Sequence, residues 1–138
     1  MLANNKIKIG VVGPGGIGGL LAILLTSKKF NVVCSNGKIE NKKIIYKLRS
    51  KIFGNKSNII KFEKKKLKNF DIIFICVKYQ DLSSAIKNID FRSNKIIVPL
   101  LNGLNHISIL KKIYEEKIII ANIGKTIAFK EKKKFNYS

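Results

Sequence analysis

The sequence predicts an α/β fold, a doubly wound and mostly parallel sheet in a single domain, and three observations support this. Short apolar runs rich in isoleucine and valine alternate with longer stretches of helical periodicity. A cluster of glycines follows the first apolar run directly, where a strand would turn into a helix. The chain has 138 residues, 46% of them apolar, which suffices for one hydrophobic core and hardly for two.

The first elements are a strand, a glycine turn, a helix and a second strand. Residues 6–12 are a β-branched run and predict the first strand. The helix is expected over residues 17–28, and Asn31–Ser35 predicts the second strand. The residues expected to face the sheet from this helix are Leu20, Leu21, Leu24 and Leu25. This order fits within about 30 residues, as a βαβ unit requires.

Residues 43–62 fit two local structures. Ile44, Tyr46 and Leu48 recur at every second position, and Gly54 with Asn55 offers a turn, so we predict two strands paired as a hairpin. The adjacent isoleucines 44 and 45 would equally suit the start of a helix. The lysine-rich residues 64–68 that follow are expected to be a solvated connector.

The second half continues the alternation of strands and helices. Residues 71–77 are apolar on both faces and predict a central strand of a parallel sheet. Asp81 or Ser83 is expected to cap a helix that runs to residue 88, and Asn105 to cap a second helix. The residues expected on one face of that second helix are Ile109, Leu110 and Ile113. The remaining segments are strands at residues 95–101, with Pro99 near its end, at 117–123 and at 126–129.

The formal net charge of +20 raises the question of a polyanionic partner. Of the 28 basic residues only Arg49 and Arg92 are arginines, although arginine makes the bidentate contacts typical of nucleic-acid readers. A lysine-rich composition also follows from an A- and T-rich genome. We therefore expect no nucleic acid as partner, while the positive field favours an anionic ligand such as a phosphorylated cofactor.

Two further features bear on the compartment. Cys34 and Cys76 lie inside apolar runs without the spacing of a metal site or a disulfide framework, so a reducing cytoplasm is expected. Residues 9–27 carry no charge and resemble a membrane anchor or a signal peptide in length. Their many glycines and Pro14 make a poor spanning helix, and no cleavage pattern follows, so no membrane is expected either.

Residues 13–18, GPGGIG, have the G-x-G-x-x-G spacing of a dinucleotide-binding Rossmann domain. In that motif Gly13 permits the tight turn, Gly15 lets the backbone approach a pyrophosphate, and Gly18 lets the helix pack closely on the strand. The intervening residues are Pro14, Gly16 and Ile17. The helix N-terminus would present free N–H groups to the phosphates. The alternative interpretation is an ordinary glycine-rich turn.

The end of the second predicted strand favours NADP over NAD. An acidic residue about 20 positions after the loop would bind the ribose 2′-OH of NAD. Here Ser35, Asn36 and Lys38 follow the strand, and no carboxylate occurs before Glu40. Hydroxyl, amide and ammonium groups suit a 2′-phosphate, although one lysine among so many also falls there by chance.

Three segments together resemble one family: GPGGIGGLLA at residues 13–22, ICVKYQDLSSAI at 75–86 and PLLNGLNHISIL at 99–110. In order and spacing they are similar to the N-terminal half of ketopantoate reductases (2-dehydropantoate 2-reductases). These are oxidoreductases that use NADPH to reduce 2-dehydropantoate to pantoate in pantothenate biosynthesis. The stretch LRSKIFGN at 48–55 resembles that family's insertion after the second strand.

The resemblance, which covers about residues 6–129, implies roles for single residues. Residues 13–18 would hold the pyrophosphate, and Lys78 would lie beside the cofactor and the active-site cleft. Asn102 would hydrogen-bond cofactor and substrate near the nicotinamide, with Gly103 permitting the sharp exit, and Ala128 would line the nicotinamide site. The resemblance assigns a catalytic role to none of these residues. His106, the single histidine, is expected to be exposed in the first turn of its helix.

The sequence departs from the family pattern in three respects. Gly37 stands where the family usually has an arginine for the 2′-phosphate, so Lys38 would have to serve, and the usual N-G-x-G ends in Asn105. We expect a Rossmann domain at residues 1–129 and a basic polar tail at 130–138. The family's helical C-terminal domain, which supplies the general-acid lysine, is therefore not expected among these residues. The chain would then be a truncated frame, a separately encoded half or a decayed relative, binding NADPH with little turnover of a 2-oxo acid.

Two other classes of function stay open at this point. One is a non-catalytic nucleotide-binding module that docks on a separate C-terminal domain chain, on another partner or on a second copy of itself. It predicts an exposed apolar face where a second domain would sit. The other is a basic protein of nucleic-acid or membrane surfaces, which predicts steeply salt-dependent binding without nucleotide preference.

Overall fold

The computed structural model describes residues 7–37 and 41–121, and these form a six-stranded sheet in the order β3-β4-β2-β1-β5-β6. In chain order the elements are β1 (Lys8–Val12), α1 (Gly16–Ser27), β2 (Asn31–Ser35), β3 (Lys42–Leu48), β4 (Lys56–Phe62), β5 (Ile72–Ile75), a 3₁₀ turn (Tyr79–Asp81), α2 (Leu82–Ile86), β6 (Ile96–Pro99), α3 (Asn105–Tyr114) and a second 3₁₀ turn (Glu115–Lys117).

The sheet is parallel except at one edge, which confirms the predicted fold class. β1 pairs with β2 and with β5, β2 with β4, and β5 with β6, all in parallel. β3 pairs antiparallel with β4, so the ambiguous region is a hairpin and not a helix. The chain leaves β1 towards β2 on one side and later returns to β5 on the other. β1 is therefore the topological switch point, beyond whose carboxyl end ligands bind in open α/β sheets.

A hydrophobic core lies on each face of the sheet, which explains why the central strands have almost no polar positions. α1 covers one face, to whose core the hairpin strands contribute side chains, and α2 and α3 cover the other. Neighbouring residues of one strand enter different cores, as Val11 and Val12 do. The buried side chains on the α1 face are Ile9, Val11, Ala22, Ile23, Val32, Cys34, Tyr46, Ile60 and Phe62.

The predicted leucine face of α1 is largely wrong. The buried residues of this helix are Gly18, Gly19, Ala22 and Ile23, whereas the four leucines are only partly buried, although Leu25 packs against this core. Small side chains let the helix axis approach β1 and β2 closely, and larger side chains on that face would hold it away. The helix has 12 residues and follows a strand, so residues 9–27 are not one apolar helix. Among the described helices none is long and apolar enough to span a membrane.

Several predicted ends also differ from the structure. Asp81 occupies the predicted capping position of α2 but makes no side-chain capping bond, and this helix ends at Ile86. α3 begins at Asn105, and Leu104, not Asn105, is in its capping position. The strand expected at 117–123 is reduced, within the described part, to a single bridge between Ile118 and Ile97. The predictions that fall on residues 38, 122–129 and 130–138, among them Lys38, Ala128, the strand at 126–129 and the tail, lie outside the described residues.

The expectation of an exposed His106 is wrong. His106 is 3% exposed. It lies on the inner face of α3 together with Leu110 and Tyr114, and successive residues of this set are one helical turn apart. The predicted face of Ile109, Leu110 and Ile113 is correspondingly rotated, because Ile109 is exposed. The Nδ1 atom of His106 is buried and has no hydrogen-bond partner among the described residues. Burial therefore lowers the pKa of His106 from its ordinary value near 6.5.

This burial predicts a loss of stability in weak acid. The unfolded chain binds a proton at His106 below about pH 6.5, while the folded chain resists it, so the free energy of unfolding falls as the pH drops from 6.5 towards 5. Carboxylates titrate mainly below that window. We expect urea unfolding midpoints to decline across it, and the decline to vanish in His106→Gln. A midpoint equally pH-dependent in both proteins would refute the assignment.

Candidate functional site

Four strand ends stand in one row at the carboxyl edge of the sheet. Ser35 of β2 is in register with Val12 of β1, Val12 with Ile75 of β5, and Ile75 with Pro99 of β6. The predicted loop at 13–18, Asn36, Lys78 and Asn102 each follow one of these ends within a few residues. The fold thus gathers at one edge the described residues that the sequence singled out from four separate segments.

The first glycine of the loop allows a turn against the neighbouring strand. Gly13 has φ +83°, and its N–H donates to the carbonyl oxygen of Ser35 at 2.9 Å. A Cβ at this position would lie 2.5 Å from Cγ1 of Val77 and 2.7 Å from the carbonyl oxygen of Cys76. The Cys76 N–H in turn donates to the Val12 carbonyl at 2.8 Å. Only glycine satisfies both the backbone angle and this contact.

The other two glycines of the motif differ sharply from each other. A Cβ on Gly18 would collide with the carbonyl oxygen of Gly13 and stand 3.1 Å from Cβ of Cys76. A Cβ on Gly15 would have no atom of the described structure within 4 Å, and Gly15 is exposed. Gly18 is therefore required by packing inside the domain, whereas Gly15 leaves the backbone at the start of α1 exposed, where a side chain would cover it. This is the division of roles in a pyrophosphate-binding loop.

The start of α1 presents N–H groups towards that open surface. The first helical bond runs from the Gly19 N–H to the Gly15 carbonyl at 2.9 Å, and the Gly15 N–H donates to Gly13 at 2.8 Å. The N–H groups of Gly16, Ile17 and Gly18 precede any intrahelical acceptor. The first turn carries no acidic residue that would compete with an anion for them. The helix terminus is thus an electropositive surface suited to phosphate oxygens.

The end of β2 carries no carboxylate in its described part. Ser35 is completely buried, and its hydroxyl has no partner among the described residues, whereas Asn36 is exposed. Gly37 has φ +74°, and the Cβ that it lacks would lie 2.9 Å from Nδ2 of Asn88, just beyond α2. An amide from another element therefore occupies the space that a residue-37 side chain would take.

The ends of β5 and β6 present the two remaining predicted residues. Lys78 is exposed on extended backbone before the first 3₁₀ turn. Asn102 is exposed, and Gly103 after it has φ +82°, as the predicted sharp exit requires. The Leu100 N–H donates to the Ile75 carbonyl at 2.8 Å and aligns these two ends. Both side chains are accessible to a molecule lying over the sheet edge.

Reasoning from the sequence did not identify Tyr46 and Asn88 as residues near the loop. The Tyr46 hydroxyl donates to the Pro14 carbonyl oxygen at 3.0 Å, although the two residues are 32 positions apart. In the sequence, Tyr46 is one of the regularly spaced apolar residues that predict the hairpin, and Asn88 is the last residue of a predicted short helix. No local signal distinguishes either residue, because the hairpin register and the position of α2 create both contacts.

The two cysteines lie in the core near this loop as neutral thiols. Burial raises the pKa of both Cys34 and Cys76 to about 12. Both are free thiols, and the described residues contain no cluster of three or more histidine, cysteine or acidic side chains that could hold a metal ion. The candidate site is therefore built from backbone amides, glycines, lysine and asparagine.

The switch point, the glycine loop and the row of strand ends define a Rossmann-like domain. A family model named Ketopantoate reductase PanE/ApbA matches residues 9–138. The chain belongs to this family of oxidoreductases, as the three sequence segments suggested. No curated protein matches the sequence.

Solved structures support the same fold. A dimeric ketopantoate reductase from Staphylococcus aureus aligns with TM-score 0.64 and 21% identity over 90% of this chain and 42% of that one. A protein from Bacillus subtilis named as a probable 2-dehydropantoate 2-reductase gives 0.63 and 23% over 86% and 42%. A D-mandelate dehydrogenase solved with NADH and anilino(oxo)acetate gives 0.62 and 19% over 84% and 40%. The chain thus spans about two fifths of these structures.

Proposed function

We propose that this domain binds NADPH and forms the cofactor side of an oxidoreductase that reduces 2-dehydropantoate or a related 2-oxo acid. The observation that carries the proposal is the open space at Gly15, between two glycines that the packing requires. This space lies directly before the N–H groups of Gly16, Ile17 and Gly18, which no intrahelical carbonyl accepts, so it leaves them accessible to a phosphate. Family membership supports the same conclusion.

Each part of the row of strand ends has a role in this proposal. The amides of Gly16, Ile17 and Gly18 hold the diphosphate, and Asn36 with Lys38 faces the adenosine ribose and its 2′-phosphate. Lys78 and Asn102 orient the nicotinamide end and the oxo acid, with Ala128 beside the ring. When bound, NADPH supplies the hydride. Neither Lys78 nor Asn102 is assigned the proton transfer to the keto oxygen.

Calorimetric titration of the 138-residue protein separates this proposal from its alternatives. We expect saturable one-to-one binding of NADPH, weaker binding of NADH, and only a moderate loss of NADPH affinity between low and physiological salt. Duplex DNA serves as the second ligand. A basic surface protein would instead bind DNA with a steep salt dependence and bind both nucleotides equally weakly or not at all. That result would refute the proposal.

A second candidate is a nucleotide-binding module that docks on another chain and has no activity of its own. Two large apolar side chains at the same sheet edge favour it, since Tyr79 is 49% exposed and Leu104 is 76% exposed. Both candidates predict NADPH binding. Oxidation of NADPH in the presence of 2-dehydropantoate distinguishes them, because only the first predicts turnover that depends on the oxo acid.

The preference for NADPH predicts a strong effect of a charge at Asn88. Asn88→Asp places a carboxylate beside Gly37, where it repels a 2′-phosphate and accepts a hydrogen bond from a 2′-OH. We expect the ratio of NADH to NADPH affinity to rise about tenfold or more. The control is Asn69→Asp, the same substitution at an exposed residue that precedes β5 at the opposite edge of the sheet. An equal ratio in both variants would show that the ribose does not lie at Asn88.

A further inference from the structure

The hairpin β3–β4 does more than extend the sheet, because one of its side chains reaches the glycine loop. Tyr46 is 4% exposed and packs its ring at 6.0 Å from that of Phe62 in the core below α1. Its Cε2 atom lies 3.3 Å from the position of a Cβ on Gly19. The ring thus fits against a helix surface that glycine leaves flat, and this fit brings the hydroxyl to the loop.

The hydroxyl donates to a loop carbonyl that accepts no helical hydrogen bond. The bonds of α1 begin at the Gly15 carbonyl, so the preceding carbonyl of Pro14 lies outside the helical pattern. Tyr46 donates to it at 3.0 Å in a buried position. Burial also raises the pKa of Tyr46, so the hydroxyl stays protonated and remains a donor at every physiological pH.

We propose that Tyr46 is a positioning residue for the nucleotide: its hydroxyl fixes the peptide between Pro14 and Gly15 and so preorients the amides of residues 16–18. This inference rests on the proposed NADPH site. A loop held in its binding conformation before the ligand arrives loses less entropy on binding, which raises affinity without any direct contact. The hairpin would then contribute to affinity from outside the ligand surface.

A second contact between hairpin and helix provides an internal control. The Nδ2 atom of Asn58 on β4 donates to the Ile23 carbonyl at 3.2 Å and to Oγ of Ser27 at 2.7 Å. This contact holds the end of α1 that is remote from the loop. If attachment of the hairpin to the helix mattered only for folding, losing either contact would act alike. The proposal instead assigns an effect on affinity to Tyr46 alone.

The test is Tyr46→Phe, which removes one oxygen and retains the packed ring, so the variant folds. We expect NADPH affinity to fall about three- to tenfold. We also expect faster amide hydrogen exchange in residues 15–18, with exchange in β1 and β5 unchanged. Tyr114→Phe removes a buried tyrosine hydroxyl on α3, and Asn58→Leu removes the remote contact; both variants are expected to bind NADPH as the wild type does.

Distinct results would refute this inference and the proposed function. If the wild type binds NADPH and Tyr46→Phe binds it equally well, the hydroxyl does not position the loop. If Asn58→Leu weakens binding as much as Tyr46→Phe does, the effect belongs to general attachment of the hairpin, and the inference is wrong. If the folded wild type binds no nicotinamide nucleotide, the proposed function itself fails.

Discussion

Gly13→Ala is expected to destabilise the protein strongly. The residue has φ +83°, which costs an alanine about 1–2 kcal/mol. The new Cβ would also lie 2.5 Å from Cγ1 of Val77 and 2.7 Å from the Cys76 carbonyl oxygen, and such overpacking adds about 1–3 kcal/mol. A total of about 2–5 kcal/mol is a large part of the stability of a small domain.

Gly54→Ala is the matched control for that prediction. Gly54 in the hairpin turn has φ +76°, but a Cβ there would meet no atom of the described structure within 4 Å. It carries the same backbone strain without the collision. Urea unfolding of both variants measures the difference, and Gly13→Ala is expected to lose clearly more. Equal losses would mean that the loop does not pack against the end of β5 as described.

Gly15→Ala is expected to abolish most of the nucleotide binding and leave the domain folded. Its Cβ enters open space within the described structure, so it disturbs no packing. The same atom occupies the surface on which the diphosphate would lie, separating it from the amides of α1. Losing one charge-assisted hydrogen bond, at about 1.5–3 kcal/mol, lowers NADPH affinity about tenfold to 150-fold.

Two measurements on each of two variants, the unfolding midpoint and the calorimetric affinity for NADPH, test this prediction. Gly15→Ala should have an unfolding midpoint near that of the wild type and greatly weakened calorimetric binding of NADPH. Gly54→Ala should show the reverse, a somewhat lower midpoint with unchanged binding. Wild-type affinity in Gly15→Ala would place the ligand away from the loop and remove the main support for the proposed function.

Much of the fold was predictable because its information is local. Runs of β-branched residues without charges identify the strands, and the alternation of Ile44, Tyr46 and Leu48 identified the hairpin despite a helical alternative. The buried faces of the helices were less predictable. In α1 the leucines were predicted to form the buried face because they are the most apolar residues, whereas close packing of the helix on the sheet requires glycine and alanine there. In α3 the polar side chain of His106 led to the prediction that it is exposed, whereas it lies on the inner face of the helix.

The candidate site was predictable only as far as it consists of strand ends. In a parallel sheet every carboxyl end reaches the same edge, so the glycine loop, Lys78 and Asn102 could be placed together from the sequence. The Tyr46–Pro14 hydrogen bond and the approach of Asn88 to Gly37 depend on how separate elements pack. No sequence pattern carries that information, although both contacts shape the loop and its surroundings.

The most direct test of the whole account is a titration of the ¹⁵N-labelled protein with NADPH, followed by backbone amide shifts. The account predicts that the largest changes occur at residues 15–18, with smaller changes at Asn36, Lys78 and Asn102, and that the amides of the hairpin turn around Gly54 stay unchanged. Changes spread over the lysine-rich surface with the loop amides unaffected would contradict it.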